Sequence, residues 1–300
     1  MYDFIIIGGG ISGLSAAMYA SRLGLKTLTL TEMPGGLITT THLVENWPGT
    51  KSISGPDLGM AFYEHAQVSG AEIKMEKAQE IQKTDNIFKI KTASNEYEGK
   101  SLLIATGTHH RKLGVPGEKE LENKGVSYCA LCDGGFFKEK NVCVVGGGDS
   151  AAKEAIFLSE HAKKVYLIVR RDVLRAEPIN ADHIDKNDKI EILYKTEIEE
   201  IIGTDKVEKV KFQGGKELPM DGVFLAIGHI AQTDLAKNLG VDLNSRGEIK
   251  INRKSETNVP GVFAAGDCVD TEFKQAITGS AEGVSAAYFA YHFVNTDAKF

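Results

Sequence analysis

Short apolar runs bounded by glycine clusters recur along the chain, and small-residue stretches at helical spacing follow several of them. Phe4–Ile7 is the first run, four apolar residues in succession, which is the pattern of a strand buried on both faces. Leu14-Ser-Ala-Ala-Met-Tyr-Ala20 then predicts a helix that stops near Gly24, and Leu25–Leu30 predicts the next strand. The same succession returns later, with a strand at Asn141–Val145, a helix through Leu158 and a strand at Val165–Val169. Leu102–Gly107 and Val223–Gly228 form a second echo, each an apolar strand that ends in glycine. Val262–Gly266 is another strand with Asp267 at its tip, and a long small-residue helix runs from about Gln275 to Phe293. This alternation of strand and helix predicts an α/β fold with parallel pairing.

Glycine spacing gives the repeat a purpose. Gly8-x-Gly10-x-x-Gly13, with Ser12 inside it, lies between the first strand and the first helix, and Glu32 stands 24 residues after Gly8 at the end of the second strand. Glycines let backbone amides approach a pyrophosphate at the positive end of a helix, while an acid in that place accepts hydrogen bonds from ribose hydroxyls. The second copy keeps the turn as Gly146-x-Gly148-Asp149-Ser150-Ala151, but the residue 24 positions after Gly146 is Arg170, followed by Arg171 and Arg175. A carboxylate there would repel a 2′-phosphate, whereas guanidinium groups bind it in forked pairs, so the second site is expected to prefer NADPH. The turn-rich Leu113–Gly117 and the stretch around Gly240 to Arg246 mark the crossings. The expectation is therefore two Rossmann-like dinucleotide-binding domains, the second inserted into the first: residues 1–112 with 245–300, and residues 113–244.

Composition narrows the rest. Three hundred residues accommodate two ordinary domains, and 42% hydrophobic with 25% charged residues is a globular balance. Net charge is −6 without a Lys/Arg block, which disfavours nucleic acid or an anionic membrane surface as partner. No basic leader precedes Phe4 and no run approaches the roughly 20 apolar residues of a membrane span, so a cytoplasmic location is expected.

In a reducing compartment, the four cysteines are not expected to form a structural framework. Cys129-Ala-Leu-Cys132 brings two sulfurs within bonding reach, and a locally lowered thiol pKa would supply an attacking thiolate. Half a zinc site is the rival reading, but zinc needs about four ligands. Cys143 lies in an expected strand, Cys268 stands alone past Asp267, and His109-His110 have no matching pair, so no metal is expected. Asp133, next to Cys132, is placed to move protons as a disulfide opens and closes, although Asp-Gly-Gly also suits a plain turn. Phe136-Phe137 beside the dithiol either anchor a protein substrate or pack in the core.

Together these motifs, with Thr39-Thr-Thr, Glu45-Asn46-x-Pro48-Gly49, Ala105-Thr106-Gly107, Val115-Pro-Gly-Glu118, Arg-Arg-Asp-x-x-Arg-Ala176 and Gly266-Asp267 followed by Gln275-Ala276, resemble the low-molecular-weight thioredoxin reductases over essentially the whole chain. The resemblance implies an FAD domain built from both ends of the chain, an inserted NADPH domain carrying the cysteines, and a homodimer. FAD would then be held by Ser12, Glu32, Gly36, Leu37, Asn46, Ala78 through its backbone, Thr106, Gly107, Asp267, Gln275 and Ala276. NADPH would meet Gly148, Asp149, Ser150, Arg170, Arg171, Arg175 and Gly228. Electrons would pass from NADPH through FAD to the Cys129/Cys132 disulfide and on to thioredoxin, with Asp133 as acid and base. One dithiol serving both a buried flavin and a foreign disulfide would require the inserted domain to move. The chain departs from the family pattern at Ile11-Ser12 for Pro-Ala, Leu37 for Gln, Val169 for His and Lys274 for Arg; losing the His weakens the expected grip on a 2′-phosphate. A peroxiredoxin-like acceptor, NADH or ferredoxin as donor, and a non-enzymatic flavoprotein with a metal-binding or redox-sensing Cys pair are the alternatives.

Overall fold

The computed structural model describes residues 1–41 and 43–295; residues 296–300, assigned above to the tail of the first domain, lie outside the described residues. The chain divides into two compact units, one made of Met1–His109 with a return segment that starts at Ile230, the other of His110–His229.

The first unit begins with β1 (Tyr2–Ile7), α1 (Ile11–Arg22), β2 (Thr27–Leu30), α2 (Gly55–Val68), β3 (Glu72–Lys74), β4 (Glu80–Thr84), β5 (Ile87–Lys91) and β6 (Glu96–Ile104). The chain leaves it through β7 (Thr108–His110). β1 lies between β2 and β6, parallel to both, with Phe4 opposite Thr27 on one side and Ser101 on the other. That central place explains the unbroken apolar run: Phe4, Ile5, Ile6 and Ile7 have no face turned to water. β6 changes character along its length. Its first half alternates buried residues with exposed or half-buried ones and pairs antiparallel with β5, whereas Leu102–Ile104 are fully buried.

The second unit continues with β8 (Val126–Ser127), α3 (Ala130–Asp133), β9 (Asn141–Val145), α4 (Asp149–Ser159), β10 (Lys164–Val169), α5 (Pro178–Asp185) and β11 (Ile190–Tyr194). Three short antiparallel strands, β12 (Ile198–Ile202), β13 (Lys209–Phe212) and β14 (Glu217–Pro219), precede β15 (Gly222–Leu225). Strands β11, β10, β9, β15 and β8, in that order, make an all-parallel sheet. Ala151, Ala152, Ala155 and Leu158 of α4 share one core with Val142, Val144, Val165 and Leu167 of that sheet.

The return runs through β16 (His229–Ala231), α6 (Asp234–Asn238), β17 (Val262–Ala264) and α7 (Ala276–Val294). β17 adds to the first sheet alongside β6, with Val262 opposite Leu102. The expected second boundary at 245 is moved by this geometry: residues 230–244 belong with the first unit, because Ala236 and Val241 are buried in one cluster with Ile81, Phe88 and Ile249. α7 packs on α1 through small residues. Ser15 and Ser280 hydroxyls meet at 2.8 Å, and a Cβ on Gly283 would lie 2.1 Å from the Ser12 carbonyl oxygen. No helix among the described residues is long and apolar enough to cross a membrane.

Candidate functional site

The first glycine turn is a cradle that only glycine can form. Gly8 sits at φ 111°, and a Cβ there would stand 2.1 Å from the Ala105 carbonyl oxygen; one on Gly13 would stand 1.9 Å from the Gly8 oxygen. Gly10 precedes α1 without any side-chain cap, and no acid lies in the first turn. A helix start left open in this way matches an anion-binding end. Some of the other residues expected for FAD adjoin this turn, and others pair with one another. A Cβ on Gly36 would meet the Gly10 Cα at 2.8 Å, and one on Gly266 would meet the Ser12 Oγ at 2.4 Å. Leu37 lies in the short 3-10 turn that Gly36 opens. Asn46 donates to the Gln275 side chain at 3.0 Å, bringing together two expected contacts 229 residues apart, and Ala276 opens α7. Thr106 donates from Oγ1 to the Gln232 carbonyl at 2.5 Å, and Gly107 follows at φ 64°. Ala78 is buried, while Glu32 is exposed and paired with Lys77 at 2.9 Å.

Several supports of this turn carry no motif. Glu282 on α7 accepts from the Gly266 amide at 2.7 Å and from the Thr271 hydroxyl. Burial raises the Glu282 carboxyl above its usual value, and burial likewise raises Asp267. Lys274 holds the Asp267 and Val269 carbonyls at 2.8 and 2.6 Å and pairs with Glu248 at 2.9 Å. The lysine standing where the family has arginine thus clamps the loop that presents Asp267. Gln232, also unread in the sequence, donates to the Thr106 and Thr108 carbonyls at 3.2 and 3.1 Å.

In the second unit the turn is repeated. Gly146 sits at φ 155°, a Cβ there would lie 2.3 Å from the Ala226 oxygen, and Gly148 leads into α4 without a side-chain cap. Ser150 is exposed at the second position of that helix. Arg170, Arg171 and Arg175 are exposed, and none has a carboxylate partner among the described residues. Three unpaired guanidinium groups beside an open helix start suit a nucleotide with an extra phosphate. Gly228 adopts φ 99°, and its carbonyl accepts from the Arg111 amide. Val169 is buried in the core, with Cγ1 3.0 Å from where a Gly147 Cβ would sit.

The cysteines belong to this unit too. Cys129 and Cys132 form a disulfide with Cα atoms 5.3 Å apart. Cys129 precedes the single turn of α3, and its sulfur accepts from the Cys132 amide at 3.1 Å, so a thiolate left there on reduction keeps a donor. Cys132 is exposed and Asp133 half-buried. The adjacent aromatics part company: Phe137 is buried edge-on against Phe224, whereas Phe136 is 75% exposed. Cys143 and Cys268 are buried free thiols, and burial pushes Cys143 up to about 12. Among the described residues no three His, Cys, Asp or Glu side chains gather as a metal-binding group.

Glu154 on α4 is the most strongly perturbed carboxyl among the described residues. Its Oε2 is sealed off with no hydrogen-bond partner among the described residues, and burial pushes the group up to about 8 from an ordinary 4.5. The folded protein then keeps a proton that the unfolded chain loses near pH 4.5. Stability accordingly falls as pH rises from there towards 8 and levels off beyond. Glu154→Gln, which mimics the protonated form, is expected to stabilise by roughly 1–3 kcal/mol at pH 8 and by much less at pH 5. Calorimetry at the two values checks this; an equal shift at both would reject the buried-proton reading.

Comparison with known proteins adds the lineage. The sequence pattern of the family described as pyridine nucleotide-disulphide oxidoreductase matches residues 2–283. A thioredoxin reductase of Bacillus subtilis (strain 168) is 40% identical over 98% of this chain and 95% of that protein. The structure of a Lactococcus lactis thioredoxin reductase superposes with a TM-score of 0.95 at 38% identity, covering 98% of this chain and 99% of that one. That of T. acidophilum thioredoxin reductase superposes with 0.92 at 39% identity, covering 97% of both.

Proposed function

Because the chain belongs to the pyridine nucleotide-disulphide oxidoreductase family, we propose that it is a thioredoxin-disulfide reductase that draws electrons from NADPH through FAD and delivers them from the Cys129/Cys132 dithiol. The observation that carries this is the disulfide itself: Cys129 and Cys132 are bonded, Cys132 is exposed, and both lie in the unit that holds the arginine-flanked phosphate turn. FAD and NADPH, when bound, supply the two-electron passage from nicotinamide to disulfide. FAD fits the first unit, where Glu32 stands exposed just past β2 to accept from ribose hydroxyls and the Lys274 clamp holds the Asp267 carbonyl at the end of β17. NADPH fits the second, where three guanidinium groups face solvent unpaired.

What the residues do can be written as exchange. In the reduced enzyme one cysteine thiolate attacks a sulfur of the thioredoxin disulfide, forming a mixed disulfide and expelling the other thioredoxin sulfur as thiolate. The second cysteine then attacks its neighbour in the mixed bond, which closes Cys129–Cys132 and frees the second thioredoxin thiolate. Two electrons have moved to thioredoxin. The amide of Cys132 steadies charge on Cys129, and Asp133 moves protons to and from the leaving sulfurs.

Phe136 is the docking residue, since it projects three positions beyond Asp133 with 75% of its surface in solvent. Phe136→Ala is expected to raise KM for thioredoxin about tenfold and to leave flavin reduction by NADPH untouched, as for an anchor that contacts only the partner. Stopped-flow traces and steady-state assays separate the two. The protein acts as a homodimer in the cytoplasm on this reading. The deciding experiment supplies holoenzyme and thioredoxin with NADPH, NADH or reduced ferredoxin as sole donor. Thioredoxin thiols should appear fastest with NADPH; none with any donor would overturn the proposal, and faster release with NADH or ferredoxin would overturn its donor.

A further inference from the structure

We infer that Asp149 is a positioning residue for 2′-phosphate selectivity: its carboxylate pins the arginine loop to the phosphate turn. The inference rests on the NADPH reading above. An acid in the first turn of α4 suits the helix dipole, yet its charge would repel a pyrophosphate held by the same amides. The geometry removes that conflict. Asp149 Oδ1 accepts from the Glu177 amide at 3.0 Å and from Asn180 Nδ2 at 2.7 Å, while Oδ2 faces Lys153 Nζ at 2.8 Å, one helical turn on. Both oxygens are therefore engaged by protein donors. Burial by itself would raise the carboxyl, but Lys153, Asn180 and the Glu177 amide outweigh it and hold the group below its usual value, so it stays an anion.

The segment it grips is the one that carries the guanidinium groups. Arg175 donates its amide to the Gly147 carbonyl at 2.7 Å and lies opposite Gly148 in a parallel bridge. Two residues further on, Glu177 meets Asp149. The loop is thus fastened to the turn at Arg175 and again two residues later at Glu177. Asn180 is buried and commits its side chain to the same carboxylate. Arg170, Arg171 and Arg175 are long, exposed and unpaired, so they can favour one nucleotide only where their backbone is held at a set distance from the pyrophosphate. A nucleotide without the 2′-phosphate needs the turn alone. Loosening the fastening should harm the phosphorylated ligand selectively.

Calorimetric titration of holoenzyme with 2′,5′-ADP and with 5′-ADP tests this. Asp149→Ala is expected to weaken 2′,5′-ADP about tenfold and 5′-ADP less than twofold, since each hydrogen bond to a charged group is of that order. Asn180→Ala removes one donor and should shift the same ratio about threefold, whether or not the alanine at 149 folds well. Asp149→Asn keeps the Oδ1 acceptor and should restore most of the ratio. Equal losses for both ligands would make Asp149 a plain structural residue and overturn the inference. An unchanged ratio in a protein whose wild type discriminates would overturn it too, with the NADPH reading intact. A wild type that binds both ligands equally would remove the NADPH reading and the inference together.

Discussion

Serine at either Cys129 or Cys132 is expected to lower thioredoxin turnover by at least about a thousandfold while FAD stays bound and is still bleached by NADPH. Exchange needs one sulfur to attack and a second to resolve, and a hydroxyl does neither at neutral pH. Folding should be spared. The enzyme passes through its dithiol form in every cycle, and a crosslink closing so short a loop contributes only about 2 kcal/mol by chain entropy. At 129 the substitution even keeps the local geometry, because the residue caps α3 by accepting from the Cys132 amide, and serine is a better cap than cysteine. The variants also report which sulfur meets the partner: the one that retains the attacking cysteine should trap thioredoxin as a mixed disulfide visible on a non-reducing gel. Wild-type turnover in either variant would sink the dithiol mechanism.

The features that could be read from sequence are those that depend on one residue's stereochemistry. Gly8 and Gly146 need positive φ and space that a Cβ would fill, so the pattern is tied to the turn wherever it occurs. Both small-residue helices were legible as helices, whereas their close packing on each other, seen at Ser15 and Ser280, was not. The Cys spacing announced the disulfide. What escaped depends on partners far along the chain. The five residues of α6 are too few to show a period, and their place in the first unit follows from Ala236 joining a core that includes Phe88 and Ile249. The resemblance makes Asp149 a nucleotide contact, and nothing in the motif shows that its carboxylate is turned to residues 28 and 31 positions later. Val169 stood out only as a missing His, and its packing beneath the turn, with the side chain buried, could not be read from the sequence. Phe136 and Phe137 look alike in sequence; a 3-10 turn sends one into solvent and the other against Phe224.

Gly13→Ala is expected to release FAD and lower the apparent melting temperature of the holoenzyme. Gly13 is a buried residue of α1 without a positive φ, and there alanine would by itself be favoured over glycine by roughly 1 kcal/mol. Any loss must come from contact. The added methyl would fall 1.9 Å from the Gly8 oxygen and 3.0 Å from its carbon, both backbone atoms of the phosphate turn. One flank of the helix is closed as well, since a Cβ on Gly283 of α7 would lie 2.1 Å from the Ser12 oxygen, so α7 already touches α1 there. Relief must come from moving the turn off the helix start, where the proposed FAD site has its amides for a pyrophosphate. Overpacking of this kind costs about 1–3 kcal/mol or more, which exceeds the helical gain. The flavin loss should be larger, because displacing binding amides by even half an ångström forfeits charge-assisted hydrogen bonds; FAD affinity should fall at least about a hundredfold. Gly135→Ala is the control, since nothing lies within 4 Å of its Cβ and its φ is not positive. Flavin-to-protein absorbance ratio and a thermal scan with added FAD distinguish the two effects: excess FAD should recover much of the melting temperature if the turn is displaced but still competent. A Gly13→Ala protein purified with full flavin and an unchanged melting temperature would show that α1 can yield at this point, and the tight turn would then not be what selects glycine there.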